Sequence, residues 1–217
     1  MTAAPDPGTQ PLNAGNPPSF RKEAARKEAA RKGAARKGAV RKGAVRAAVQ
    51  DDAALLHAVA AETFPLACPS DADPESILAF IAEHLSEASF DGYLADPARE
   101  LFIAEVDGRA AGYAMVVHGD PTDPDVVASV STRPTSELGK LYVRAAHHGG
   151  GVSTALVDAV VRASAARGSL SVWLGVNDEN ERANRFYEKS GFVIVGTKRF
   201  RLGERLESDF VRERPLG

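Results

Sequence analysis

Three consecutive glycines, Gly149, Gly150 and Gly151, stand between a short apolar stretch and a longer amphipathic one. That arrangement restricts what residues 137 to 160 can become. Leu138, Leu141 and Val143, with Tyr142 among them, have the composition of a buried strand. After the glycines, Val152, Leu156 and Val160 recur every four residues, with Val157 and Val161 beside them. This is one face of an amphipathic helix. The spacing therefore predicts strand, glycine turn, helix. A glycine turn that opens a helix presents unpaired backbone N–H groups at the positive end of the helix dipole. Such a site favours an anion. Taken alone, the segment fits a tight structural turn equally well. Two nucleotide-binding patterns are absent: there is no GxxxxGK[ST], and no GxGxxG followed by an acidic residue about twenty positions on.

A second segment, VWLGVNDENERANRFYEKSGF at residues 172 to 192, narrows the reading. Together with the first it resembles the GNAT superfamily of N-acetyltransferases. In the family's central motif, His148 stands where Arg or Gln is usual, Gly149 and Gly151 match, and Ser153 replaces a usual Gly or Ala. Asn177, Asn180, Ala183, Phe186, Tyr187, Gly191 and Phe192 reproduce the later signature. The resemblance covers roughly residues 43 to 215.

What the resemblance implies is an α/β fold of the α+β type, with a mixed, mostly antiparallel central sheet and helices on both faces. It implies acetyl-CoA as cosubstrate, no metal, and direct acetyl transfer to a primary amine of a small molecule or protein. Backbone groups of Leu141, Tyr142 and Val143 would polarise the acyl carbonyl. The turn from His148 through Gly149, Gly150, Gly151 and Val152 to Ser153 would hold the pyrophosphate. Asn177 and Asn180 would contact the cofactor, and Tyr187 would be the acid for the leaving thiolate. Glu137, at the head of the central strand, is the candidate base, with a structural or substrate-binding role as its alternative. Tyr187 as a hydrogen-bonded core residue and Asn180 as a helix-start residue also stay open. The departures at His148 and Ser153 leave a second class standing: a CoA-binding or regulatory protein without turnover, tethered through a basic arm.

That arm lies outside the resemblance. Residues 1 to 20 carry no Lys or Arg and are rich in Pro, Gly, Ala and Asn, a composition expected to be disordered. Residues 21 to 45 repeat RKEAA, RKEAA, RKGAA, RKGAV, RKGAV and carry a net charge of +8. Residues 46 to 217 carry −9, and Asp6 completes the overall −2. A five-residue period spreads charge around every face of a helix, so no apolar stripe forms. The domain expectation is therefore residues 1–42 as a disordered or partly helical basic extension and residues 43–217 as the catalytic domain. Through residues 21–46 the arm is either a solvated extension, a phosphate-directed contact for nucleic acid or an anionic membrane, or a segment folded back on the acidic body.

The remaining readings are ordinary ones. Hydrophobic content of 44% and charged content of 26% suit a soluble globular protein. No run approaches a membrane span, and the single cysteine, Cys68, forbids an intramolecular disulfide. A cytoplasmic location and a possible homodimer are expected, and the acidic body points to a cationic acceptor. Along the chain the pattern predicts a strand at Ala44 to Val49 and a helix from Asp51-Asp52 to Phe64. A second helix opens at Pro74, with Ile77, Leu78, Ile81 and Leu85 inward. A hairpin turns at Asp107-Gly108. A long acidic connection covers residues 119 to 134. Asp178 and Glu181 have capping-box spacing before the helix that Gly191 ends. The predicted order is β-α-α-β-β-β-α-β-α-β-β.

Overall fold

A computed structural model describes residues 44–217, except Ser70, Glu204 and the side chains of Phe200, Leu202 and Arg205. The Pro/Gly-rich segment and the basic repeat, and the readings attached to them, lie outside the described residues.

The chain runs as β1 (Ala44–Ala47), α1 (Ala53–Thr63), α2 (Pro74–His84), α3 (Glu87–Ala95), β2 (Arg99–Val106), β3 (Arg109–His118), α4 (Pro124–Ser129) and β4 (Thr135–Val143). It continues as α5 (Val152–Ala166), β5 (Ser171–Asn177), α6 (Glu181–Lys189), β6 (Val193–Leu202) and β7 (Arg205–Pro215). Seven strands form one sheet in the order β1-β2-β3-β4-β5-β7-β6. Every pairing is antiparallel except β4 with β5. The mixed, mostly antiparallel sheet expected from the sequence is present.

Pleat alternation sends neighbouring strand residues to opposite faces, and each face is covered. Ala114 and Val116 of β3 join Leu156, Val160 and Phe192 in the core beneath α5 and α6. Tyr113 and Met115 join Leu56, Val59, Phe64 and Phe90 beneath α1, α2 and α3. A smaller cluster sets Val126 and Val130, at α4, over Trp173 and Val211.

Local chemistry explains the boundaries. Asp107 and Gly108 both have positive φ, 52° and 74°, as the β2–β3 turn requires. The Asp73 carboxylate accepts from Ser76 N–H and Pro74 fills the first turn of α2. Arg46 of β1 donates twice to Asp52, at 2.7 and 2.8 Å, and once to Glu105 of β2 at 2.9 Å. This ties the short first strand to the entry of α1.

Several expectations change. Helices α3 and α4 were absent from the predicted order. In α3, EASFDGYLA, only Phe90 is fully buried and Gly92 interrupts the pattern, so little periodicity marks it. Leu78 is 65% exposed, whereas Ile81 and Leu85 are buried. Ile81 and Leu85 follow Ile77 at four-residue steps, and Leu78 stands one step off that face. The cap of α6 is Asn180, whose Oδ1 accepts from Ala183 N–H at 3.0 Å, rather than Asp178. The first strand ends at Ala47 rather than Val49. Among the described residues, no helix is long and apolar enough to cross a membrane.

Candidate active site

The sheet opens at its centre. β4 and β5 share only three register pairs, Thr135 with Ser171, Ser136 with Val172 and Glu137 with Trp173. Beyond Glu137, β4 keeps β3 on one side as far as Val143, opposite Gly112, and among the described residues has no strand on the other. Alternate backbone groups between Leu138 and Val143 therefore face a gap without ladder partners. A bulge sits at the start of this gap. Met115 pairs with Lys140 and Val116 with Leu138, so Gly139 is the extra residue.

Two clefts meet in the gap. One, of about 400 Å³, runs past Leu141, Tyr142 and Val143 to the glycine turn and along α6. Its rim carries Arg182, Arg185 and Lys189. These cations stand three and four positions apart on one helix face, a spacing legible in the sequence but not singled out there. The other cleft, of about 280 Å³, lies under Phe64, Cys68 and Phe80 and reaches Glu137, Lys140, Lys198, Glu207 and Asp209. Leu141, Tyr142, Asn180, Ala183 and Tyr187 line both.

The glycine turn is built as the spacing suggests. Gly149 and Gly151 have φ of 74° and 81°, a region that side-chain-bearing residues rarely adopt. Gly150 does not need that freedom. His148 and Gly150 N–H groups bond back to Ala145 and His147 carbonyls. Val152 and Ser153 N–H groups fall in the first turn of α5, where no preceding carbonyl is available. The Val152 side chain points into the core, 1% exposed, while Ser153 lines the cleft. The His148 ring turns back on the chain. Its Nε2 lies 2.8 Å from Val143 O, and Arg182 Nη1 approaches its Nδ1. With Nε2–H donating to the carbonyl, Nδ1 accepts from Arg182, so His148 ties the end of β4 to α6.

Tyr187 stands at the junction, buried against Phe186 and Phe192. No described residue hydrogen-bonds its hydroxyl. Burial pushes its pKa well above the ordinary phenol value, and the phenol of Tyr142 likewise. Glu137 lines the second cleft. Burial raises its pKa against the pull of Lys198, Lys140 and Arg99. Burial also raises Asp209 to about 6, opposed by Lys198, and lowers Lys140 to about 8, opposed by Glu137. The Cys68 thiol is pushed up to about 11 by burial and by Glu207, which leaves it protonated and unreactive. Asn180 caps α6 and lines both clefts. Asn177 accepts from Glu179 N–H and lines the second. So the structure gathers Leu141, Tyr142, Val143, His148, Gly149, Ser153, Asn180 and Tyr187 around one cleft, and Glu137 and Asn177 around the other. Gly150, Gly151 and Val152 shape the turn without lining either.

Residues 61–192 match the Acetyltransferase (GNAT) family. The chain belongs to that family. An uncharacterised N-acetyltransferase of Mycobacterium tuberculosis is 49% identical over 165 residues, 76% of this chain and 98% of that protein. An uncharacterised N-acetyltransferase of Lactobacillus delbrueckii is 26% identical over 73% of the chain and 89% of that protein. Among solved structures, the PaiA N-acetyltransferase of Thermoplasma acidophilum, in complex with coenzyme A, aligns with a TM-score of 0.63 at 20% identity. That alignment covers 79% of this chain and 98% of that one. A putative acetyltransferase of Salmonella typhimurium, YncA, solved with acetyl-CoA, aligns with a TM-score of 0.52 at 18% identity over 81% and 94% of the two chains. At these identities the two structures establish the GNAT fold for this chain.

Proposed function

We propose that this GNAT protein transfers an acetyl group from acetyl-CoA to a primary amine of a small molecule or protein, in the cytoplasm. The observation that carries this reading is the opening of the sheet after Glu137, which joins an elongated cleft to a compact one at Tyr187.

The residues present fit such a cosubstrate. Unpaired backbone groups of Leu141 to Val143 suit an amide-bearing pantetheine arm and a thioester carbonyl. The amides at the head of α5 suit a pyrophosphate, with Gly149 and Gly151 holding the turn. Arg182, Arg185 and Lys189 bring positive charge to the same rim. The side-chain amides of Asn177 and Asn180 add donors near the junction.

Acetyl-CoA supplies an activated acyl thioester, whose C–S bond breaks as the amide C–N bond forms. Glu137, its basicity raised by burial, accepts a proton from the acceptor ammonium side of the gap. Tyr187 keeps its proton at neutral pH and offers it where the two clefts meet. The rings of Phe64, Phe80 and Tyr142 line or approach the gap, and a lower local dielectric beside them strengthens both interactions.

Thermal unfolding with and without acetyl-CoA tests the binding half. A ligand at a hundredfold its dissociation constant stabilises by about 2.7 kcal/mol, a rise of several degrees for a domain of this size. Release of thiol from acetyl-CoA in the presence of amines tests the catalytic half. No rise in Tm at millimolar acetyl-CoA overturns the reading; a rise with no amine-dependent thiol release favours the non-catalytic CoA-binding class.

A further inference from the structure

The compact cleft holds charged side chains that face one another without a hydrogen bond or ion pair among the described residues. Asp209 is 7% exposed and lines the cleft, and no described residue hydrogen-bonds or ion-pairs with it. Glu137 is in the same position. So are two cations. Among the described residues Lys198 makes no hydrogen bond or ion pair, although Asp209 and Glu137 attract it, and Lys140 lies over the Tyr93 ring at 5.3 Å with Glu137 attracting it from beyond ion-pair distance. The crowding is specific. A Cβ at Gly175 would fall 2.5 Å from Lys198 Cε and 3.2 Å from Asp209 Oδ2. The missing side chain at 175 is what lets the lysine stem and the carboxylate share the cleft floor.

A buried charge without a partner is costly. A cleft that sets one buried charge and three half-buried ones beside each other without direct contacts leaves room for a ligand to complete the pairing. Glu207, the third carboxylate on this cleft, has a partner of its own; the remaining two carboxylates and two ammonium groups make a set with no net charge. A dication would answer Glu137 and Asp209 but meet two lysines of its own sign. An anion would meet the converse. A molecule with one ammonium and one carboxylate matches both pairs at once. The remaining wall is aromatic: Phe64 stacks on Phe80 with centroids 4.5 Å apart, and Tyr142 meets the edge of Phe64 at 6.1 Å. At about 280 Å³ the cleft suits a small molecule.

We propose that the acceptor is a small zwitterionic amine, of the α-amino-acid type with an apolar or aromatic side chain. Its ammonium is answered by Glu137 and Asp209 and its carboxylate by Lys198. This rests on the acetyltransferase reading above. The ammonium loses one proton to Glu137, its nitrogen bonds the acyl carbon, the C–S bond breaks as the sulfur takes a proton from Tyr187, and the second proton of the nitrogen passes to the tyrosinate and restores it. The products are an N-acetyl amino acid and free coenzyme A.

The test compares phenylalanine, leucine and methionine with the amines left when each loses its carboxylate, and with spermidine, by acetyl-CoA-dependent thiol release. The expected result is a kcat/KM at least about tenfold higher for one or more zwitterions than for its carboxylate-free partner, the scale of a lost charge-assisted contact. Lys198→Met should erase most of that ratio while acetyl-CoA still raises Tm. Equal rates within every pair, or spermidine ahead of all zwitterions, overturns the proposal. If acetyl-CoA raises Tm and that result follows, only the acceptor class falls. If acetyl-CoA fails to raise Tm, the acetyltransferase reading falls and this proposal with it.

Discussion

Glu137 and Trp173 are the last register partners between β4 and β5. The only carboxylate of β4 thus stands at the fork where the sheet divides, between a fully paired half and a half with an open edge. Its position couples three levels of the molecule. Strand pairing holds its backbone, the opening of the sheet exposes its side chain to the compact cleft, and burial there raises its pKa.

Glu137→Gln should therefore lower kcat by about a hundredfold, the low end for a lost general base, with acetyl-CoA affinity unchanged. In the native protein the fraction of carboxylate grows as pH rises through a pKa above the usual carboxylate range. The pH–rate profile should show a rising limb on its acid side, and the variant should lack it. A variant that keeps both the rate and the limb removes Glu137 as the base.

Tyr187→Phe removes a hydroxyl that no described residue hydrogen-bonds, while keeping the ring against Phe186 and Phe192. Little stability should be lost, within about 0.5 kcal/mol, because no protein hydrogen bond breaks. Turnover should fall about tenfold or more, as expected when a proton donor is removed. A large drop in Tm with unchanged turnover would mark Tyr187 as a core residue only.

How much of this was legible before folding depends on the range of the signal. The β2–β3 hairpin followed from Asp107-Gly108, and α5 from its four-residue repeat, because both are written in adjacent residues. Helix α3 escaped because one buried Phe90 and an internal Gly92 leave no periodic face. The charges of the compact cleft escaped for a different reason. Lys198 and Asp209 oppose each other in the β6–β7 register, and both crowd Gly175 on β5. Nothing in residues 198 or 209 announces a partner at 175, since register is a property of the assembled sheet. The inward turn of His148 was equally hidden, because it depends on Arg182 arriving from α6.

The glycine turn can be probed by charge at constant strain. Gly151 has φ of 81°, so Gly151→Asn and Gly151→Asp carry a similar backbone cost, about 1–2 kcal/mol. The two should unfold at similar temperatures. If the head of α5 holds the pyrophosphate as proposed, only Asp sets a negative charge beside it, so Asp should weaken acetyl-CoA binding at least about tenfold beyond Asn, a difference of about 1.4 kcal/mol. Equal affinities by titration calorimetry would detach the turn from the pyrophosphate.

Asp209 gives the pH dependence of stability its sign. Burial raises its pKa to about 6 from an ordinary carboxylate value of 3.8. The folded chain therefore binds a proton more tightly than the unfolded chain does. The stabilisation linked to that proton is complete below the unfolded value and is lost as pH rises through about 6. Above that pH the native protein carries a buried carboxylate to which no described residue donates a hydrogen bond, and Asp209→Asn removes it. The variant should melt higher than the native protein at pH 8, by about 2–4 °C for each kcal/mol recovered, and the gap should close toward pH 4. Adding a tightly bound acceptor at pH 8 should narrow the same gap from the other side, because the ligand ammonium then answers the native carboxylate. A gap that is flat from pH 4 to pH 8 would mean that Asp209 stays solvated, and the compact cleft would lose its buried anion.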